Sequence, residues 1–198
     1  MTPRQHKEFE EALKLEAEEL AKAWLPKVKN DMKLSQYLEE MKSFALNPDD
    51  VPLVIKLVEN PKYDIGLFSG ATTLAAHDCV HVILGRGLLL KDEAFVIGYT
   101  MGSSKKMKRW RRNLFMFVCK YLYPKGYNFG EEERYVFYSG VLCGEKCKVD
   151  LTKIDFKKHA DRKVLGLRKE FGIDSEMLDC VYCTEKFLFP NSLESQRL

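Results

Sequence analysis

Two histidines stand four residues apart in the stretch 71–101, ATTLAAHDCVHVILGRGLLLKDEAFVIGYTM: His77 and His81. Residues four apart share one face of an α-helix, so on a helix these two imidazoles stack. Asp78, three residues before His81, can turn its carboxylate to the same side. Glu93 follows twelve residues after His81, near the start of the next apolar segment. A helix, a glycine-containing turn and a second helix would fold Glu93 back onto the pair. Imidazole nitrogens and carboxylate oxygens converging from an apolar face suit zinc or another first-row divalent ion. The expected metal ligands are His77, Asp78, His81 and Glu93, with zinc first and iron or manganese as alternatives. Spacing alone leaves a plainer reading open. In it the histidines are hydrogen-bonded core residues, Asp78 pairs with Arg86, and Glu93 is a first-turn acid favoured by the helix dipole.

His77-Asp78-Cys79-Val80-His81, eleven further residues and Glu93 make the pattern H-D-x-x-H-x11-E. This resembles the signature of the coenzyme Q (ubiquinone) biosynthesis protein 4 family, and Gly85 falls where that family commonly has a glycine. The resemblance covers residues 70–101; the remainder matches only in helical character and length. It implies an α-helical protein that associates peripherally with a membrane and helps to assemble the coenzyme Q biosynthetic complex. It also implies removal of the carboxyl group at ring carbon one of a prenylated benzoate precursor, with hydroxylation there, the work of a metal-dependent oxidative decarboxylase-type lyase. The implied partners are a prenylated aromatic or other lipid-like substrate, a membrane surface and other biosynthetic enzymes. Carried over by position, the implied divalent site is His77, Asp78, His81 and Glu93. Asp92 departs from the glycine the family often has before the glutamate, and the transit peptide of its eukaryotic members is not seen.

A dication held there would bind a substrate carboxylate or phenol oxygen and stabilise developing negative charge. Four protein ligands close a tetrahedral shell, which is a structural arrangement, whereas chemistry needs an open position. Glu93 or Asp78 is therefore the expected displaceable ligand and the candidate catalytic group. The rival, from another class, is a non-enzymatic lipid-binding scaffold, in which these polar residues brace a helix pair or hold a structural ion. A zincin reading fits less well, because it needs Glu where Asp78 stands, and neither a G-x-x-x-x-G-K-[ST] nor a G-x-G-x-x-G is present.

The elements that must position these residues read as helices. Apolar residues recur at helical spacing from Thr2-Pro3 to about Leu25 and from Ser35, a candidate cap, to Leu46. Further helices are expected from Asp50 to about Val58, over 71–84, over 93–101 behind an Asp92 cap, over 105–123 and over 130–143, then over about 156–171 and 175–188. Gly85 and Gly87 stop the histidine helix. No repeat or linker divides the chain. The expectation is an all-α protein: a single compact helical domain over 1–198 of about eight helices, with the metal motif at 77–93.

Composition agrees. The 198 residues are 45% hydrophobic with a net charge of only +3, which excludes intrinsic disorder. No apolar run approaches the roughly 18 residues of a spanning helix. The acidic, charged first twenty residues read as neither a signal nor a transit peptide. Six cysteines in such a chain point to a reducing compartment, so the expected location is intracellular, on the cytoplasmic side or peripheral to a membrane.

Charge is concentrated at 105–112, KKMKRWRR: Lys105, Lys106, Lys108, Arg109, Arg111 and Arg112 surround Trp110 with no acid among them. The plainest reading is a solvated helix end. Of the two functional ones, contact with anionic head groups is preferred over nucleic acid, because the implied substrate has an apolar tail. The apolar stretch 114–122 behind it would face a core, a lipid or a second copy of the chain. Cys143, Cys147, Cys180 and Cys183 could make a four-cysteine zinc site, but ordinary buried thiols are the preferred reading. Cys79 and Cys119 read as core.

Overall fold

The computed structural model describes residues 24–42, 44, 74–121 and 128–198. The helices expected over 2–25 and from Asp50 to Val58, and the first residues of the one from 71, lie outside these except for Trp24 and Leu25. The described residues form eight α-helices: α1 (Leu34–Lys42), α2 (Leu74–Leu84), α3 (Leu90–Ser103), α4 (Arg109–Tyr121), α5 (Glu131–Gly144), α6 (Val164–Phe171), α7 (Ser175–Leu188) and α8 (Leu193–Gln196). Single 3-10 turns stand at Val28–Asn30, Leu151–Lys153 and Phe156–His159. Among the described residues there is no sheet, only an isolated bridge between Lys33 and Lys163, so the all-α expectation holds.

Beyond its charged first turn, α3 (LKDEAFVIGYTMGS) has no polar face, and a helix apolar all round must be enclosed. Ala94, Phe95, Val96, Gly98 and Tyr99 are all buried. Its main neighbour is α5. Gly98 lies against the Phe137 carbonyl and Gly102 against that of Val141, while Gly140 meets the Phe95 carbonyl and Gly144 that of Tyr99. Contacts that advance together along both helices mean that the two run in the same direction. A Cβ at any of the four would come within 2.1–2.4 Å of a backbone oxygen. Only bare Cα hydrogens allow so close an approach, and they in turn make weak C–H···O contacts with the facing carbonyls. Phe115 from α4 stacks on Phe137 of α5 with ring centroids 5.6 Å apart, extending the core outward from this seam.

Three expected boundaries are corrected. The helix expected over 156–171 is interrupted at 160–163, because the Ala160 and Arg162 carbonyls accept from the Ser35 and Leu34 amides, each at 2.9 Å. Those carbonyls, not the Ser35 side chain, cap α1. Helix α3 starts at Leu90 rather than 93, which puts Asp92 inside its first turn. There its carboxylate still caps, accepting from the Leu89 amide at 3.0 Å. The basic run begins before α4: Lys105 and Lys106 stand in a turn with Met107 buried between them and α4.

Candidate metal centre

Helix α2 ends at a glycine for a definite reason. Gly85 has φ +80°, a left-handed conformation that costs glycine little. The Gly85 amide donates to Val82 O at 3.1 Å and the Arg86 amide to His81 O at 3.0 Å, which together form a Schellman cap. Arg168 Nε and the Tyr182 hydroxyl satisfy the next carbonyls, Ile83 O at 2.6 Å and Leu84 O at 2.7 Å. The reversed chain then presents the Gly87 carbonyl to His81 Nδ1 at 2.6 Å and leads into α3, whose first turn carries Glu93.

The result is a three-residue centre. His77 Nε2 lies 2.9 Å from His81 Nε2 and 2.9 Å from Glu93 Oε2; His81 Nε2 lies 3.2 Å from Glu93 Oε1. His81 is fully buried, His77 nearly so, and the Glu93 side chain keeps 29% of its exposure, so the centre opens on the glutamate side. Burial alone would raise the Glu93 carboxyl, but the facing His81 and His77 outweigh it and hold it well below its ordinary 4.5.

The protonation pattern decides what this arrangement can do. A carbonyl oxygen only accepts, so His81 Nδ1 bears the proton it shares with Gly87. In the neutral ring that leaves Nε2 as a bare lone pair. This lone pair faces His77 Nε2 at 2.9 Å and Glu93 Oε1 at 3.2 Å. Two arrangements satisfy this geometry: the His77 Nε2–H tautomer donating into the group, or a metal cation held by all three atoms. A histidine whose remote nitrogen donates to a backbone carbonyl while its other nitrogen is free is oriented as metal-ligating histidines are. Two nitrogens and a carboxylate suit zinc, iron or manganese.

Not all of the expected ligands converge. The donor atoms of His77, His81 and Glu93 lie within 4.8 Å of one another, and Asp78 is not in that group. Asp78 follows His77 by one residue and so turns about a quarter of a helical circle away from the shared face. It is half-buried, and burial pushes its carboxyl above the ordinary 3.8, against the pull of His81 and His77. Nor does Arg86 pair with it. The Arg86 guanidinium is sandwiched 4.2 Å from both the Phe95 and Tyr182 rings, and Nη2 meets Glu185 Oε2 at 2.5 Å.

Other candidates are placed as follows. Lys105, Lys106, Lys108, Arg109 and Trp110 are exposed. Arg111 is half-buried, its guanidinium 5.4 Å from the Trp110 ring, and Arg112 turns to Glu145 at 2.5 Å. Cys79 and Cys119 are core residues, as expected. Cys143 and Cys147 are buried while Cys180 and Cys183 are exposed, so buried thiols describe only the first of those pairs. Among the described residues the four cysteines form no group able to hold a metal. No described helix is long and apolar enough to cross a membrane.

No family model, curated protein or solved structure matches the chain. The likeness to the coenzyme Q family therefore rests on the motif within residues 70–101. Sequence reasoning missed the groups behind the centre: the Gly87 carbonyl, Arg168, Tyr182, and the short helix α8, whose only local signal is the capping Ser192.

Proposed function

We propose that this chain holds a divalent metal, zinc first, through His77 Nε2, His81 Nε2 and Glu93. It would serve a reaction of the coenzyme Q type on a prenylated aromatic acid. The observation that carries the metal is the convergence of ligand atoms of His77, His81 and Glu93 within 4.8 Å of one another, with the His81 ring held at Nδ1 by the Gly87 carbonyl. Three protein ligands rather than four leave a tetrahedral ion one open position, the arrangement of catalytic zinc sites. The bound cation would supply Lewis-acid stabilisation of negative charge developing on the substrate. The chain's own residues divide the remaining work. His81 is oriented by Gly87, and Glu93 stands at the exposed side, where a substrate carboxylate would enter. Asp78 stands half-buried beside the site, its carboxyl raised above the ordinary 3.8 by burial. In a decarboxylation the bond from ring carbon one to the carboxyl carbon breaks and its electron pair stays on the ring. Carbon dioxide leaves, and a proton is taken up at that ring carbon. Peripheral membrane contact fits the exposed Lys105, Lys106, Lys108 and Arg109 beside Trp110, Phe117 and Tyr121, the last three on one outward stripe of α4.

Elemental analysis of the purified protein beside His81→Ala tests the metal, and carbon dioxide release from a carboxyl-labelled prenylated hydroxybenzoate tests the reaction. Near one equivalent of metal in the wild type, lost in the variant, supports the centre. A folded wild type that takes up no zinc, iron or manganese refutes it. Metal without turnover, in the presence or absence of vesicles, favours the scaffold with a structural ion.

A further inference from the structure

The segment 192–197 contacts the turn that shapes the centre rather than the centre itself. Ser192 Oγ accepts from Lys91 Nζ at 2.5 Å, and Glu194 Oε2 accepts from the Lys91 amide at 3.2 Å. Ser195 Oγ donates to Glu185 Oε1 at 3.1 Å, the carboxylate that also takes Arg86. At its end Arg197 Nη1 donates to Trp24 O at 3.0 Å, and Nη2 pairs with the buried Asp92 carboxylate, next in sequence to Glu93. The guanidinium lies directly on Gly87: a Cβ there would come 2.5 Å from Nη2 and 2.7 Å from the Trp24 carbonyl. One side chain thus touches both the residue whose carbonyl orients His81 and the neighbour of the third ligand.

We infer that Arg197 is a positioning residue for the His77–His81–Glu93 centre, pinning the Gly87–Asp92 turn so that the Gly87 carbonyl fixes the His81 ring. The inference rests on the metal reading above. Donor-to-metal distances must hold within about 0.2 Å, a tolerance that a turn released from its clamp does not keep. Groups that hydrogen-bond a metal ligand directly, as the Gly87 carbonyl does His81, are typically worth about 10–100-fold in metal affinity, and Arg197 acts on that group.

The test compares wild type, Arg197→Ala, Arg197→Lys and Leu151→Ala. Leu151 is a buried core residue beside Ser103, at the opposite end of α3 from Glu93, and serves as a control for general loosening. Zinc affinity is read by competition with a chromophoric chelator, and site geometry by the visible absorption of the cobalt form. Arg197→Ala is expected to bind zinc at least about tenfold more weakly and to shift the cobalt bands. Arg197→Lys keeps the charge opposite Asp92 without the fork and recovers part of the loss. Leu151→Ala melts lower with unchanged affinity and bands. Affinity in Arg197→Ala within twofold of wild type, or an equal loss in Leu151→Ala, overturns the inference. If Arg197→Ala does not fold, Arg197→Lys against Leu151→Ala carries the same comparison. Absence of zinc binding in the wild type refutes the metal reading itself, and is seen before any variant is compared.

Discussion

Replacing Gly98 by alanine should destabilise the protein, although alanine is the better helix former. The added Cβ would lie 2.1 Å from the Phe137 carbonyl oxygen, a backbone atom that has no rotamer to change. Carbon and carbonyl oxygen settle at about 3.3 Å, so α3 and α5 must part by about 1 Å. Such overpacking costs about 1–3 kcal/mol, and the upper end applies because the gap opens along the whole seam. Alanine returns about 1 kcal/mol of helix propensity, leaving a net loss of about 2 kcal/mol. For a chain of this size that lowers Tm by about 4–8 °C. Gly166, on the exposed side of α6, has no atom within 4 Å of the place a Cβ would take, so Gly166→Ala should instead raise Tm by about 2–4 °C. The double variant Gly98→Ala/Gly140→Ala should cost less than the sum, since one methyl already separates the helices. Thermal and urea unfolding followed by circular dichroism measure these three variants and Gly140→Ala beside wild type. A Gly98→Ala protein at least as stable as wild type would refute the close-packed seam.

Glu185→Gln leaves the buried Arg86 short of its main counter-charge and should cost about 3 kcal/mol in urea unfolding; Arg86→Met with Glu185→Leu should recover most of it. Because burial raises the Asp78 carboxyl above 3.8, its ionised form opposes folding, a cost present above the folded-state value and absent below the unfolded one. Chelator-treated Asp78→Asn should therefore melt higher than wild type at pH 7, with the difference vanishing as the pH falls towards 3.8, and it should still bind zinc. Loss of zinc binding in that variant would make Asp78 a ligand after all. Burial pushes the Cys79 thiol up to about 12 and that of Cys143 to about 11, whereas Cys180 and Cys183 are exposed. Iodoacetamide at pH 8 should label Cys180 and Cys183 in the native protein and spare the buried four, as read by mass spectrometry. Labelling of Cys143 before Cys180 would contradict this placement.

What the sequence made legible was local. His77 and His81 are one helical turn apart, Gly85 stops their helix, and Glu93 follows a turn too short to lead elsewhere. These relations lie within 16 residues of chain, where spacing and a short turn determine geometry. The orientation of Asp78 was less legible, because a residue three before one histidine is also one after the other, and the backbone settles which relation matters. The break at 160–163 was illegible, since its cause is the unfilled amides of Leu34 and Ser35, far away at the other end of the described chain. In the sequence Arg86 reads as a partner for Asp78 and Asp92 as a helix cap, and nothing local marks Glu185 or Arg197; long-range pairing joins the four. The glycines at 98, 102, 140 and 144 carry a four-residue spacing in each helix, yet nothing local says that the two helices are partners.

The contacts of the centre differ widely in how far they reach along the chain, and this sets an order of events during synthesis. His77 meets Glu93 across 16 residues, whereas Arg197 meets Asp92 across 105 and Trp24 across 173. Local contacts close early, while long loops close late. At a translation speed of about 5–20 residues per second, the helical hairpin bearing the three donors leaves the ribosome about 5–20 seconds before the guanidinium does. Throughout that interval the nascent chain already displays its histidines and glutamate to any cation in the surrounding fluid, but without the arginine that holds their turn in place.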